Sequence, residues 1–228
     1  MNNENIQLLT SNLRAAANKN MGQQMSAYMK NNFPFLGIKS PQRREIVVKC
    51  WKLMEIKRES DLLRVVDNLW ELPEREFQYV GCDTLKKYKN LLTADAITGL
   101  AKLIRSKSWW DTVDSIAAHP VGHVVQCYPE TVSKVDAWIH DENMWIRRTA
   151  ILHQLRFKEK TDSAKLFRYC DLCLEENEFF IRKAIGWALR QYSYIEMDSV
   201  LEYVESRKYQ LSNLSIREAL KVHKRSRE

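Results

Sequence analysis

Ile146-Arg147-Arg148-Thr149-Ala150 is echoed by Ile181-Arg182-Lys183-Ala184-Ile185, and again by Ile216-Arg217-Glu218-Ala219-Leu220. The copies start at 146, 181 and 216, so the period is 35 residues both times. An aromatic-rich entrance repeats at the same interval: Trp109-Trp110, then Met144-Trp145, then Phe179-Phe180. A looser copy stands at Glu74-Arg75-Glu76-Phe77. Fixed periods of this length mark stacked supersecondary units, each unable to bury its apolar face alone.

Within each copy the apolar residues return at helical spacing, as in Ile146, Ala150, Ile151 and Leu155, or Ile181, Ala184, Ile185 and Leu189. Each repeat therefore predicts an amphipathic helix pair. Proline occurs only at 34, 41, 73, 120 and 129, positions suited to helix starts and connections. Asp141-Glu142-Asn143 and Glu175-Glu176-Asn177 read as acidic N-terminal caps. The expected architecture is all-α: an α-solenoid of HEAT-like helical repeats in a single domain over 1–228, less regular over about residues 1–65. A plain helical bundle is the competing arrangement.

Composition agrees with that class. The 228 residues are 45% hydrophobic and 10% aromatic. Six glycines and five prolines stand where average usage gives about 27, too few turn residues for an all-β chain. A net charge of +7 suits a polyanionic partner. No run of 18 apolar residues and no basic-then-apolar leader is present, so no membrane partner and a cytoplasmic location are expected. Five scattered cysteines fit a reducing compartment better than a disulfide framework.

In a solenoid, a residue type that recurs at one repeat position becomes a stripe. Arg147 with Arg148, Arg182 with Lys183, and Arg217 share one register; Lys39, Arg43, Arg44, Arg105 and Lys107 precede them, and Lys221, Lys224, Arg225 and Arg227 follow. They form a candidate phosphate track, against the alternative of solvated helix faces. Trp110 and Asp114, four apart, share a helix face. Downstream of Asp114 the same register holds Thr149, Ala184 and Ala219, so the carboxylate departs from the small-residue pattern. Arg148 aligns with Val113 and is expected one helix over from Asp114, near Trp187 and Lys183. This arrangement suits either a functional site or an Asp114–Arg148 ion pair. Trp70, Trp109, Trp145 and Phe180 read as core or as wedges between repeats. Cys170-Asp171-Leu172-Cys173 lacks a second ligand pair for zinc, and His119 and His123 straddle Pro120 and Gly122, so no metal is expected.

Four strings, Tyr28-Met29-Lys30-Asn31-Asn32-Phe33-Pro34-Phe35-Leu36-Gly37-Ile38, Leu69-Trp70-Glu71-Leu72-Pro73-Glu74-Arg75-Glu76-Phe77, Ser108-Trp109-Trp110-Asp111-Thr112-Val113-Asp114 and Lys183-Ala184-Ile185-Gly186-Trp187, resemble the DNA alkylation repair glycosylases of the AlkD type. The similarity runs from about residue 20 to about 222. It implies HEAT-like repeats and excision of cationic N3- and N7-alkylated purines from double-stranded DNA, without flipping the base and with no cofactor. By the same resemblance Asp114 matches the catalytic carboxylate, Trp110 and Trp187 the aromatic contacts to the lesion nucleotide, Arg148 the arginine of the catalytic site, and Tyr28 a tyrosine near the cleft. Lys39 stands where glutamine is expected. The DNA-contacting set is then Tyr28, Lys39, Arg43, Arg44, Lys107, Arg147, Arg182, Lys183 and Arg190, in a protein expected to act as a monomer. The alternatives are a non-catalytic member of the same fold that binds damaged or unusually shaped DNA and, more distantly, a protein-binding scaffold.

Overall fold

The computed structural model describes residues 3–221, and every regular element among them is helical. The fold is the expected all-α, helical-repeat class. Two compact units divide the chain, the first ending at Thr93 and the second beginning at Ala94.

The first unit contains α1 (Asn3–Ala15), α2 (Lys19–Tyr28), α3 (Ser40–Trp51), α4 (Glu59–Glu71) and α5 (Arg75–Lys87). Leu62, Val65, Val66 and Leu69 of α4 are buried at helical spacing, as are Phe77, Val80 and Leu85 of α5, and the two helices pack together. Leu72 ends α4 in an extended conformation because Pro73 excludes the residue before it from the helical region. Two of the sequence strings interlock here. The carboxylate of Glu76, fully buried, accepts the backbone N–H groups of Leu36, Gly37 and Ile38 at 2.9, 2.8 and 3.1 Å. Arg75 N–H donates to the Pro34 carbonyl. Gly37 has φ +86°, and a Cβ there would lie 2.1 Å from the Asn18 carbonyl oxygen, so only glycine lets this loop close on α2.

The second unit contains α6 (Ala96–Arg105), α7 (Trp110–Ile116), α8 (Gly122–Cys127), α9 (Val132–Trp138), α10 (Met144–Leu152), α11 (Ser163–Leu172), α12 (Phe179–Ser193), α13 (Met197–Ser206) and α14 (Asn213–Ala219). The helices bearing the repeated motif, α7, α10, α12 and α14, begin at 110, 144, 179 and 213, close to the sequence period. Each packs on the next, with Ile146, Ala150, Ile181 and Ala184 at zero exposure between them. Trp109, Trp145 and Phe180 meet with ring centroids 4.9 to 5.7 Å apart, tying the starts of three successive repeats together.

Two local expectations need correction. Pro120 opens no new helix: a π-helical turn over Ala117–Val121 carries the chain from α7 into α8. The wider turn accommodates a residue that has no N–H to give to the ladder. Asn143 does cap α10, its side chain accepting from Trp145 N–H at 2.9 Å. By contrast Glu178, which precedes α12, makes no side-chain cap, and Glu176 turns away to bind Arg147. The tail cations Lys224, Arg225 and Arg227 lie outside the described residues.

Candidate active site

Asp114 projects from α7 and meets Arg148 of α10 in a two-pronged ion pair. Arg148 Nε donates to Oδ1 at 2.7 Å and Nη2 to Oδ2 at 2.8 Å. The third arm, Nη1, donates to the carbonyl of Phe180 in the first turn of α12. One guanidinium thus fastens three consecutive repeats. Arg148 is 1% exposed, whereas the Asp114 side chain keeps 15% of its surface. The buried partner is the anchor, and the carboxylate is the part presented outward. Burial pushes the Asp114 proton affinity up and Asp111 adds to it, with Arg148 offsetting only part, so the carboxyl titrates above the usual aspartate value.

Trp187 lies on α12, half-buried. The Arg148 guanidinium carbon is 5.5 Å from its ring centroid, Lys183 Nζ 5.6 Å and the Arg190 guanidinium carbon 5.9 Å. Lys183, Trp187 and Arg190 follow at i, i+4 and i+7 on one helix face. Glu218 of α14 holds the two cations, with Lys183 Nζ and Arg190 Nη1 each donating to one of its oxygens at 2.9 Å. Burial alone would raise the Glu218 carboxyl, but Lys183, followed by Lys221 and Arg190, more than offsets it and the net shift is downward. Trp110, the first residue of α7, is half-buried.

Asp114, Arg148, Trp187, Lys183 and Arg190 are therefore brought together by α7, α10, α12 and α14. Other members of the expected track are engaged inside the protein. Arg147 forks onto Glu176 at 2.8 and 2.7 Å and donates to the Asp141 and Glu142 carbonyls. Arg182 donates to the Glu176 carbonyl and to Asn177. Arg105 pairs with Asp141. Lys107 is half-buried in the connection before α7, at φ +50°.

In the first unit Tyr28 is 71% exposed at the end of α2, and Lys39 precedes α3 on the surface. Arg44 is exposed, but Arg43 is buried, paired with Asp83 at 3.3 Å and lying over the Tyr79 ring. Among the described residues no three His, Cys, Asp or Glu side chains gather as metal ligands, and Cys170 and Cys173 are buried thiols.

The acceptors Glu76, Glu176 and Glu218 escaped the sequence reading. Glu218 did carry a signal, because it occupies the register of Arg148 and Lys183 with the opposite charge. Stacked repeats turn such a reversal into an ion pair, and Lys183–Glu218 is that pair.

The family model for DNA alkylation repair enzymes matches residues 9–222. A solved structure described as a predicted DNA alkylation repair enzyme from Enterococcus faecalis superposes with a TM-score of 0.80 at 31% identity, covering 90% of this chain and 95% of that one. No curated protein matches the sequence. A family match of that extent, joined to the agreement in fold and sequence with the solved structure, makes this chain a member of the DNA alkylation repair enzyme family.

Proposed function

We propose that the protein is a DNA glycosylase that hydrolyses the N-glycosidic bond of cationic N3- and N7-alkylated purines in duplex DNA, acting as a monomer without a cofactor. The observation that carries this reading is the Asp114 carboxylate, fixed by a fully buried Arg148 beside the Trp187 ring. Alkylation gives the purine a formal positive charge, so the base leaves with the bonding electron pair and becomes neutral without a proton from an acid. Positive charge then develops on the deoxyribose. A carboxylate already oriented needs no reorganisation to stabilise it. Water adds to the anomeric carbon and releases a proton, leaving an abasic site.

Asp114 faces that charge and directs the water. Trp110 and Trp187 offer aromatic faces to the cationic sugar and base. Arg148 is a positioning residue: it keeps Asp114 pointed outward and is too buried to meet a phosphate itself. Lys183 and Arg190, partly exposed, face the DNA backbone.

The test is release of free 7-methylguanine and 3-methyladenine from methylated duplex DNA. Asp114→Asn is expected to slow release by about 10²-fold or more, the scale of losing one preorganised electrostatic group, with little change in DNA affinity. Since both Asp114 oxygens are engaged by Arg148, a purely structural pair in a DNA-binding protein is the alternative. It requires tight binding with no base released by the unaltered protein.

A further inference from the structure

The cations that the sequence assigns to phosphates are largely paired with carboxylates, yet the same three helical segments build a second cationic site. One turn beyond Asp114 and Trp187 lies a cavity of about 280 Å³ lined by Ala118, His119, Leu155, Arg156, Lys158 and Gln191. Ala118 follows Asp114 by four residues, and Gln191 follows Trp187 by four along α12, so the cavity continues the face that carries the carboxylate and the indole. Leu155 and Arg156 come from the turn after α10, the helix that supplies Arg148. No carboxylate lines the cavity. Among the described residues the Arg156 and Lys158 side chains have neither a hydrogen bond nor an ion pair, unlike Arg147, Arg182, Lys183 and Arg190. A helix dipole attracts cations to the last turn; these two lie four and six residues past Leu152, where that attraction has faded. Lys158 also holds φ +53°, a backbone conformation uncommon outside glycine.

We propose that this cavity is a subsite for a DNA backbone phosphate, with Arg156 and Lys158 supplying the charge and His119 and Gln191 the polar wall. The proposal rests on the reading of Asp114 as the group that faces the lesion sugar. A helical turn advances about 5.4 Å, and phosphates of one strand are spaced about 3.4 Å along the duplex axis. A phosphate held there belongs to the nucleotide one or two steps from the lesion. Each neutralised phosphate contributes about 0.9 to the slope of log affinity against log salt.

The test is binding of Arg156→Gln/Lys158→Gln to undamaged duplex DNA across a salt series, which reads the subsite whether or not any base is released. The expected result is affinity weakened about tenfold or more near 0.1 M salt and a slope reduced by about 1, the loss of one phosphate contact. The exchanged pair Arg156→Lys/Lys158→Arg, which keeps both charges, should retain the slope. Unchanged affinity and slope in the glutamine variant would overturn the proposal. So would an inorganic phosphate titration that shifts the Gln191 side-chain amide resonances when the glutamine variant binds DNA normally, since the site would then hold free anions unrelated to DNA. Loss of slope in a protein that releases no base would keep the subsite and sink the glycosylase reading instead.

Discussion

Asp114 is subject to two opposing effects. Burial disfavours its charge while Arg148 favours it, and burial has the larger effect, so the carboxyl holds its proton to a higher pH than a free aspartate. The folded state then binds that proton more tightly than the unfolded chain, and ionising Asp114 lowers stability, opposite in sign to the usual paired aspartate. On the proposed reading of Asp114 as the catalytic carboxylate, the consequence is an acid limb. Base release should be constant near neutrality and fall as pH drops through a pKa above the ordinary aspartate value, displaced further upward by DNA phosphates. Single-turnover rates from pH 4.5 to 8 measure this, and the residual rate of Asp114→Asn should lack the limb. The Asp114–Arg148 proximity was legible because the 35-residue register places position 148 beside 113. The third arm of Arg148 was not, because it ends on a backbone carbonyl, which every residue carries.

Between elements, Arg147 shows why a repeated cation need not be a DNA contact. Its guanidinium binds both Glu176 oxygens and two carbonyls of the 141–142 turn, joining the entrance of α10 to the connection before α12. Arg147→Ala should therefore destabilise the protein by about 1–3 kcal/mol, since it leaves these partly buried acceptors unpaired. Chemical denaturation measures this, and the salt slope of DNA binding should stay at its unaltered value. At the other end of α10, His153 is buried with Nδ1–H donating to the Ala150 carbonyl. Burial is the main cause that lowers its pKa to about 4. Its contribution is whole above the unfolded pKa of about 6.5 and is lost as pH falls from there toward 4. Between pH 7 and 4.5, His153→Gln should lose about 2 kcal/mol less stability than the unaltered protein. Helix positions were readable from the apolar period. The π turn at Pro120 and the role of Glu176 were not, because a proline signals a helix start and an acidic run signals a cap unless the neighbouring repeat is already known.

For the whole molecule, a net charge of +7 suits attraction to DNA without choosing a lesion; on the proposed glycosylase reading the choice falls to the chemistry at the sugar. Asp114 has both oxygens accepting from Arg148, so neither is placed to hand a proton to a leaving base. A neutral base such as hypoxanthine needs protonation before it leaves, so this site gives it little help. A cationic base needs none. Size is a weaker filter, because N7 opens into the major groove, away from the glycosidic bond, and Trp110, Asp114 and Trp187 are partly exposed on their helices. Single-turnover excision should therefore place a bulky cationic N7 adduct within about tenfold of 7-methylguanine. Hypoxanthine should be slower by about 10² or more, the scale expected when general acid catalysis is absent. Rapid release of hypoxanthine, or refusal of the bulky cation, would mean that an acid and an enclosing pocket govern the reaction instead of substrate charge.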